Sequence, residues 1–129
     1  MALLDWWRRL IPFGRRSEIQ GAAYLRTLGF RLIASQYRTR QGEVDLIAWD
    51  GDTLVFVEVK SLHSSAPPED AVGFRKQQRV IRAARAYIAK HRLSEKSYRY
   101  DVLAITVLPR SEPRFKLLRD AFREVSSIR

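Results

Sequence analysis

The chain reads as a single α/β domain, a mixed β-sheet with helices packed against it. Three observations predict this class. Residues 42–60 read as two strands joined by a tight turn, with Val55, Val57 and Val59 alternating with Phe56, Glu58 and Lys60 at strand period. They recur at helical spacing over 17–28 and again over 71–92. A further strand-like apolar run, through Tyr100, Val102, Leu103, Ala104, Ile105 and Val107, spans 98–108 and is ended by Pro109. The order α-β-β-β-α-β implies a mixed central sheet flanked by helices. At 129 residues and 46% hydrophobic content the chain is long enough for one core, and it shows no internal repeat or domain linker.

Residues 1–16 read as a basic and apolar N-terminal appendage. Trp6, Trp7, Leu10 and Ile11 suit packing on the domain, or a short amphipathic helix on a membrane surface. The core domain is assigned to 17–108 and a basic C-terminal extension to 109–129. In the core, Ser17 is a helix N-cap, and Ile19, Ala22, Ala23 and Leu25 supply the apolar stripe. Gly29 stops that helix. Glu18 in its first turn complements the helix dipole.

Phe30 to Arg38 forms a strand, and a basic turn leads from it into the hairpin. Asp50-Gly51 is a favourable turn pair, which sets Trp49 opposite Asp52, Asp45 opposite Phe56 and Glu43 opposite Glu58. Paired residues and residues two apart share a face, so Glu43, Asp45, Glu58 and Lys60 project from one side. A polar, Pro-containing loop over 61–70 precedes the second helix, whose Val80, Ile81, Ala84, Tyr87 and Ile88 face the sheet. Residues 110–129 suit a strand followed by a short helix, or a frayed end.

The formal net charge of +10 and a pI near 10.7 point to a polyanionic partner, nucleic acid before membrane surface. Arg75, Lys76, Arg79 and Arg82 lie on a helix that carries no acid between 74 and 92, a one-sign face suited to phosphates. The chain has no cysteine, so disulfides and thiolate metal sites are excluded. His63 and His91 lack zinc-ligand spacing. No apolar run approaches the ~20 residues needed to span a bilayer, so no stable membrane insertion and a cytoplasmic location are expected.

Carboxylates on neighbouring strands repel one another unless a cation or a retained proton relieves them. Oxygen donors without cysteine or paired histidine favour Mg²⁺ or Mn²⁺. Asp45, Glu58 and the main-chain carbonyl of Val59 are the candidate ligands, and Lys60 is placed to act on a metal-bound water or on charge developing at phosphorus. The same residues also read as cross-strand ion pairs on a solvated face, each contributing about 0–1 kcal/mol.

Glu18 before Ala23-Tyr24-Leu25, the run Gly42-Glu43-Val44-Asp45-Leu46-Ile47, the run Val55-Phe56-Val57-Glu58-Val59-Lys60, Lys76 in a basic helix, and Arg99-Tyr100-Asp101-Val102 together resemble the YraN-like family of small bacterial endonuclease-like proteins. The resemblance covers roughly residues 14–107. It implies a restriction-endonuclease-like fold of the PD-(D/E)XK superfamily, similar to archaeal Holliday-junction resolvases. It further implies Asp45, Glu58 and Lys60 as the metal-binding and catalytic set, with Glu18 as the auxiliary helix carboxylate; Glu43, on the same face of the hairpin, is expected to support the site. DNA, including branched or recombination intermediates, would be the substrate, and a homodimer follows by analogy with two-fold resolvases. The alternative function is a non-catalytic nucleic-acid-binding accessory protein that keeps the fold. Two positions depart from the family pattern: Ser61-Leu62 follows the lysine, and Gly73-Phe74 opens the second helix where a proline is usual.

Overall fold

The computed structural model describes residues 16–63 and 72–124. The expectations for the N-terminal appendage and for most of the loop after Lys60 lie outside these residues. Helix α1 spans Arg16–Thr27 and is followed by β1 (Arg31–Arg38), β2 (Glu43–Asp50) and β3 (Thr53–His63). Helix α2 (Phe74–Lys90), β4 (Tyr98–Val107) and β5 (Arg114–Phe122) complete the elements of the described residues. The five strands form one sheet in the order β1-β2-β3-β4-β5. β3 and β4 run parallel, and the other neighbours are antiparallel. The α2 crossover makes the parallel pair, since strands side by side in one direction need a long connection.

β5 comes from the segment read as a C-terminal extension. Its alternation is interrupted, with Leu117 and Leu118 adjacent, so its periodicity fitted two conformations. Pairing to β4 decides between them: Leu103 lies opposite Leu117 and Ile105 opposite Phe115.

β3 is the middle strand and is buried on both faces from Leu54 to Glu58. Val55 and Val57 face α1, where they meet Ala22, Leu25, Leu103 and Ile105. Leu54 and Phe56 face α2, where they meet Val80, Ala84, Tyr87 and Tyr100. Burial of a side chain the size of Phe56 contributes about 1.5–3 kcal/mol. α1 lies close to the sheet at Gly21, where an added Cβ would stand 3.0 Å from Leu103 and 3.3 Å from Val59. α2 lies closer still at Gly42, where a Cβ would overlap the main-chain carbonyl of Arg79.

The hairpin turn differs from the expectation. Asp50 pairs with Thr53 and Trp49 with Leu54, so the turn residues are Gly51 and Asp52. Gly51 has φ +59, while Asp52 is not among the positive-φ residues, the pattern of a turn with glycine first. Register therefore moves by two residues, and an even shift by itself flips no side chain to the other face. The last ladder pair is Leu46 with Val57, so the next position sets Asp45 opposite Glu58 rather than opposite Phe56.

The hairpin end is clamped by Arg99. Its guanidinium donates to Asp50 at 2.8 Å and to the fully buried Asp101 at 2.9 Å. Asp101 also accepts the main-chain N–H of Asp120 at 2.9 Å, and Arg119 donates to Asp50 at 3.0 Å. The Arg99-Tyr100-Asp101-Val102 motif thus ties β2, β4 and β5 together from the hairpin turn up to Val102, which pairs with Glu58. The hydrogen bond from Arg99 holds the Asp50 carboxyl below its ordinary pKa.

Candidate functional site

Asp45 sits where β2 and β3 part. Beyond Leu46–Val57 the ladder stops, and the Asp45 carboxylate takes the next donor, accepting the main-chain N–H of Val59 at 2.9 Å. Side-chain alternation breaks at the same place: Val44 and Ile47, three residues apart, both pack on the α2 side. Simple parity along β2 therefore does not govern the face on which Asp45 lies. On the other side of Asp45, β1 pairs Ser35 with Leu46 and Tyr37 with Val44, which leaves Gln36 facing Asp45. Gln36 has φ +50, a conformation that costs a non-glycine residue of order 1–3 kcal/mol. Its side-chain amide donates to Glu18 at 2.6 Å.

Asp45 and Glu18 open onto one cleft of about 390 Å³, lined also by Glu58, Val59, Lys60, Val72, Gly73 and Lys76. α1 brings Glu18 from one face of the sheet and α2 brings Lys76 from the other. Glu58 is 3% exposed. Its Oε2 accepts from Lys76 Nζ at 3.0 Å, while its buried Oε1 has no hydrogen-bond partner. Burial and the neighbouring Asp45 carboxylate push the Glu58 carboxyl up to about 8, against the pull of Lys76. Burial works against the charge of Lys76, but Glu58, Asp45 and Glu43 outweigh it and its pKa rises.

Glu43 stands behind Lys76 rather than at the cleft wall. It lies 3.8 Å from Lys76, 3.6 Å from Arg79 and 3.2 Å from Arg38. Lys60 is exposed at the cleft. Of the four basic residues assigned to phosphates, Arg75 and Arg82 are exposed, whereas Lys76 and Arg79 turn onto carboxylates. The sequence reading missed Gln36, which nothing in the mixed polar and apolar run of β1 singles out. It also missed the pairing of Lys76 with Glu58, a contact across 18 residues that no local pattern encodes.

Among the described residues, no group of three or more Asp, Glu, His or Cys side chains is gathered as a ready cation cage. The donor set at the cleft is the pair Asp45 and Glu58 with the Val59 carbonyl beside them. Mg²⁺ is commonly bound through one or two carboxylates while it keeps several waters, so a pair suffices. A buried carboxylate oxygen without a partner, pressed against a second carboxylate, fits a hard cation.

The sheet order, the α2 crossover and the helices on both faces define a restriction-endonuclease-like α/β domain. Residues 17–105 match the model of the uncharacterised protein family UPF0102. A UPF0102 protein of Syntrophus aciditrophicus is 43% identical over 111 residues, covering 84% of this chain and 87% of the relative. A UPF0102 protein of Anaeromyxobacter dehalogenans is 44% identical over 111 residues, covering 84% and 82%. One of Geobacter sulfurreducens is 41% identical over 111 residues, covering 84% and 87%. The chain belongs to the UPF0102 family, the YraN-like family that its motifs resemble.

Proposed function

We propose that the protein is a Mg²⁺- or Mn²⁺-dependent endonuclease that hydrolyses DNA phosphodiesters. One observation carries this reading: Asp45 and the buried, half-unpartnered Glu58 share a cleft with the exposed ammonium of Lys60. Asp45, Glu58 and the Val59 carbonyl would hold the cation. Bound there, it would polarise a phosphoryl oxygen and lower the pKa of a coordinated water.

The chain's own residues supply the rest. Hydrolysis adds a water oxygen to phosphorus, breaks one P–O ester bond and returns a proton to the departing oxygen. Lys60 orients the attacking water or meets negative charge developing on the phosphoryl oxygens. The Val59 N–H fixes the Asp45 carboxylate, and the Gln36 amide fixes Glu18 at the cleft wall. Arg75 and Arg82 hold phosphates of the flanking strand, and net charge of +10 raises the encounter rate with a polyanion.

The test is incubation of linear duplex, single-stranded and branched DNA with Mg²⁺ or Mn²⁺, comparing wild type with Glu58→Ala. Product from wild type alone is expected. Equal product from both proteins overturns the catalytic assignment. Lys76 favours a second reading, a non-catalytic DNA-binding accessory protein, because its ammonium already occupies Glu58 Oε2 from 3.0 Å. That reading predicts salt-sensitive binding, no product from any substrate and no Mg²⁺ dependence.

A further inference from the structure

We propose that Phe74 is a base-stacking residue at the mouth of the cleft, and that it directs the site to DNA with unpaired bases beside the bond to be broken. This rests on the reading of the protein as a DNA-binding nuclease, and it names the substrate feature that the site selects.

Phe74 is 65% exposed, more than any other large apolar side chain among the described residues. It opens α2, and residue Ile81, seven positions on and therefore on the same side of the helix, is buried. The first turn of α2 thus carries an aromatic ring out past the core. Its place in the chain ties it to the cleft. Val72 and Gly73, immediately before it, line the cleft with Asp45, Glu58 and Lys60, and Lys76, two residues later, contacts Glu58.

The surroundings name the partner. α2 contains no acidic residue, and Arg75, Arg79 and Arg82 are exposed along it. An apolar ring among cations suits a partner that offers anions and flat aromatic faces together, as a polynucleotide does. A protein docking surface would call for a contiguous apolar patch, and the residues following Phe74 are Arg75, Lys76, Gln77 and Gln78.

Stacking on Phe74 requires a free base face. In an intact duplex each base is covered above and below by its neighbours, so the ring gains nothing without unstacking them. At a single-stranded segment, a flap or a branch point the face is already open. Every base has such a face, so the preference would be for structure and not for sequence.

The experiment measures binding by the full chain in metal-free buffer, so that cleavage does not enter. A single-stranded oligonucleotide and a perfect duplex of the same length are titrated against wild type, Phe74→Ala and Phe74→Trp. Wild type is expected to bind the single strand more tightly than the duplex. Phe74→Ala should lose roughly 5- to 150-fold for the single strand, the factor given by one stacked base, with duplex affinity unchanged. Phe74→Trp should restore the preference and show indole quenching on the single strand only. Phe74→Ala binding like wild type, or losing both ligands equally, overturns the Phe74 assignment. Failure of wild type to bind either DNA overturns the DNA-directed reading beneath it. Because Phe74 is solvent-exposed, its variants should melt with wild type.

Discussion

Lys76 Nζ lies 3.0 Å from Glu58 Oε2, and a helix on one side of the sheet thereby neutralises a buried carboxylate on the central strand. The same ammonium is 3.8 Å from Glu43. Lys76 and a bound divalent cation would compete for the same negative charge. Lys76→Met should therefore have two opposite effects. Stability without metal should fall by about 1–3 kcal/mol, because a buried acceptor loses its charged donor. The loss should stay below that of a fully buried pair, because Lys76 is partly solvated and Glu58 can keep a proton. Stabilisation by added Mg²⁺ should grow. Urea denaturation of both proteins with and without MgCl₂ checks this; an unchanged Mg²⁺ effect would separate Lys76 from the cation site.

Part of this arrangement was legible in the sequence. The bulky apolar residues flanking Glu58 marked its strand as central, and the spacing of Val80, Ile81, Ala84, Tyr87 and Ile88 marked the face of α2 that meets it. The hairpin register was not legible, because Gly51 can stand second or first in a two-residue turn, and both choices keep the alternation. The structure takes the second choice and brings Asp45 opposite Glu58. The approach of Asp45 to Val59 was hidden for another reason. It depends on the ladder ending at Leu46 and on Gln36 adopting φ +50, neither of which a period-two pattern contains. Pairing of β5 to β4 is likewise a tertiary choice between two local conformations.

Gly42 controls the distance between α2 and the hairpin. Any Cβ at this position would overlap the Arg79 carbonyl, so Gly42→Ala must displace the helix or the start of β2. Overpacking of this kind costs about 1–3 kcal/mol. Since Lys76 and Arg79 contact Glu43 and Glu58 from the same stretch of α2, the displacement should also loosen those pairs. Thermal denaturation should show the lost stability. Chemical shifts of the Glu58 side chain should move in Gly42→Ala and stay unchanged in Gly51→Asn, a turn position with open space around it.

Glu124 sets part of the acid sensitivity. Burial raises its pKa, but hydrogen bonds from Tyr98 and Arg85, each at 2.7 Å, outweigh burial and lower it overall. A carboxyl with a depressed native pKa binds fewer protons when folded than when unfolded. Its stabilisation is present above the ordinary carboxyl pKa of 4.5 and is lost as pH falls through the lower native value. Arg85 is largely solvated, so the contribution is about 1 kcal/mol or less. Glu124→Gln should lower stability at pH 7 by about that amount and converge on wild type as pH drops below 4.5. Denaturant midpoints measured across pH 3–7 test it; a constant offset across that range would exclude the linkage.

Asp45→Asn separates the structural duty of Asp45 from its charge. The side chain accepts the Val59 N–H, and an amide oxygen can do the same, so the parting of β2 and β3 should persist. What the variant lacks is the negative charge beside Glu58. Wild type should gain ~2.7 kcal/mol of stability when Mg²⁺ exceeds its dissociation constant a hundredfold. Asp45→Asn should gain no more than a matched ionic strength of NaCl provides. Removing the charge also relieves Glu58 of its neighbour, so the metal-free variant should be at least as stable as wild type. Thermal denaturation in EDTA, in MgCl₂ and in NaCl reads both effects from one preparation. Equal Mg²⁺ stabilisation of the two proteins would place the cation elsewhere, and a destabilised metal-free variant would assign Asp45 a structural role alone.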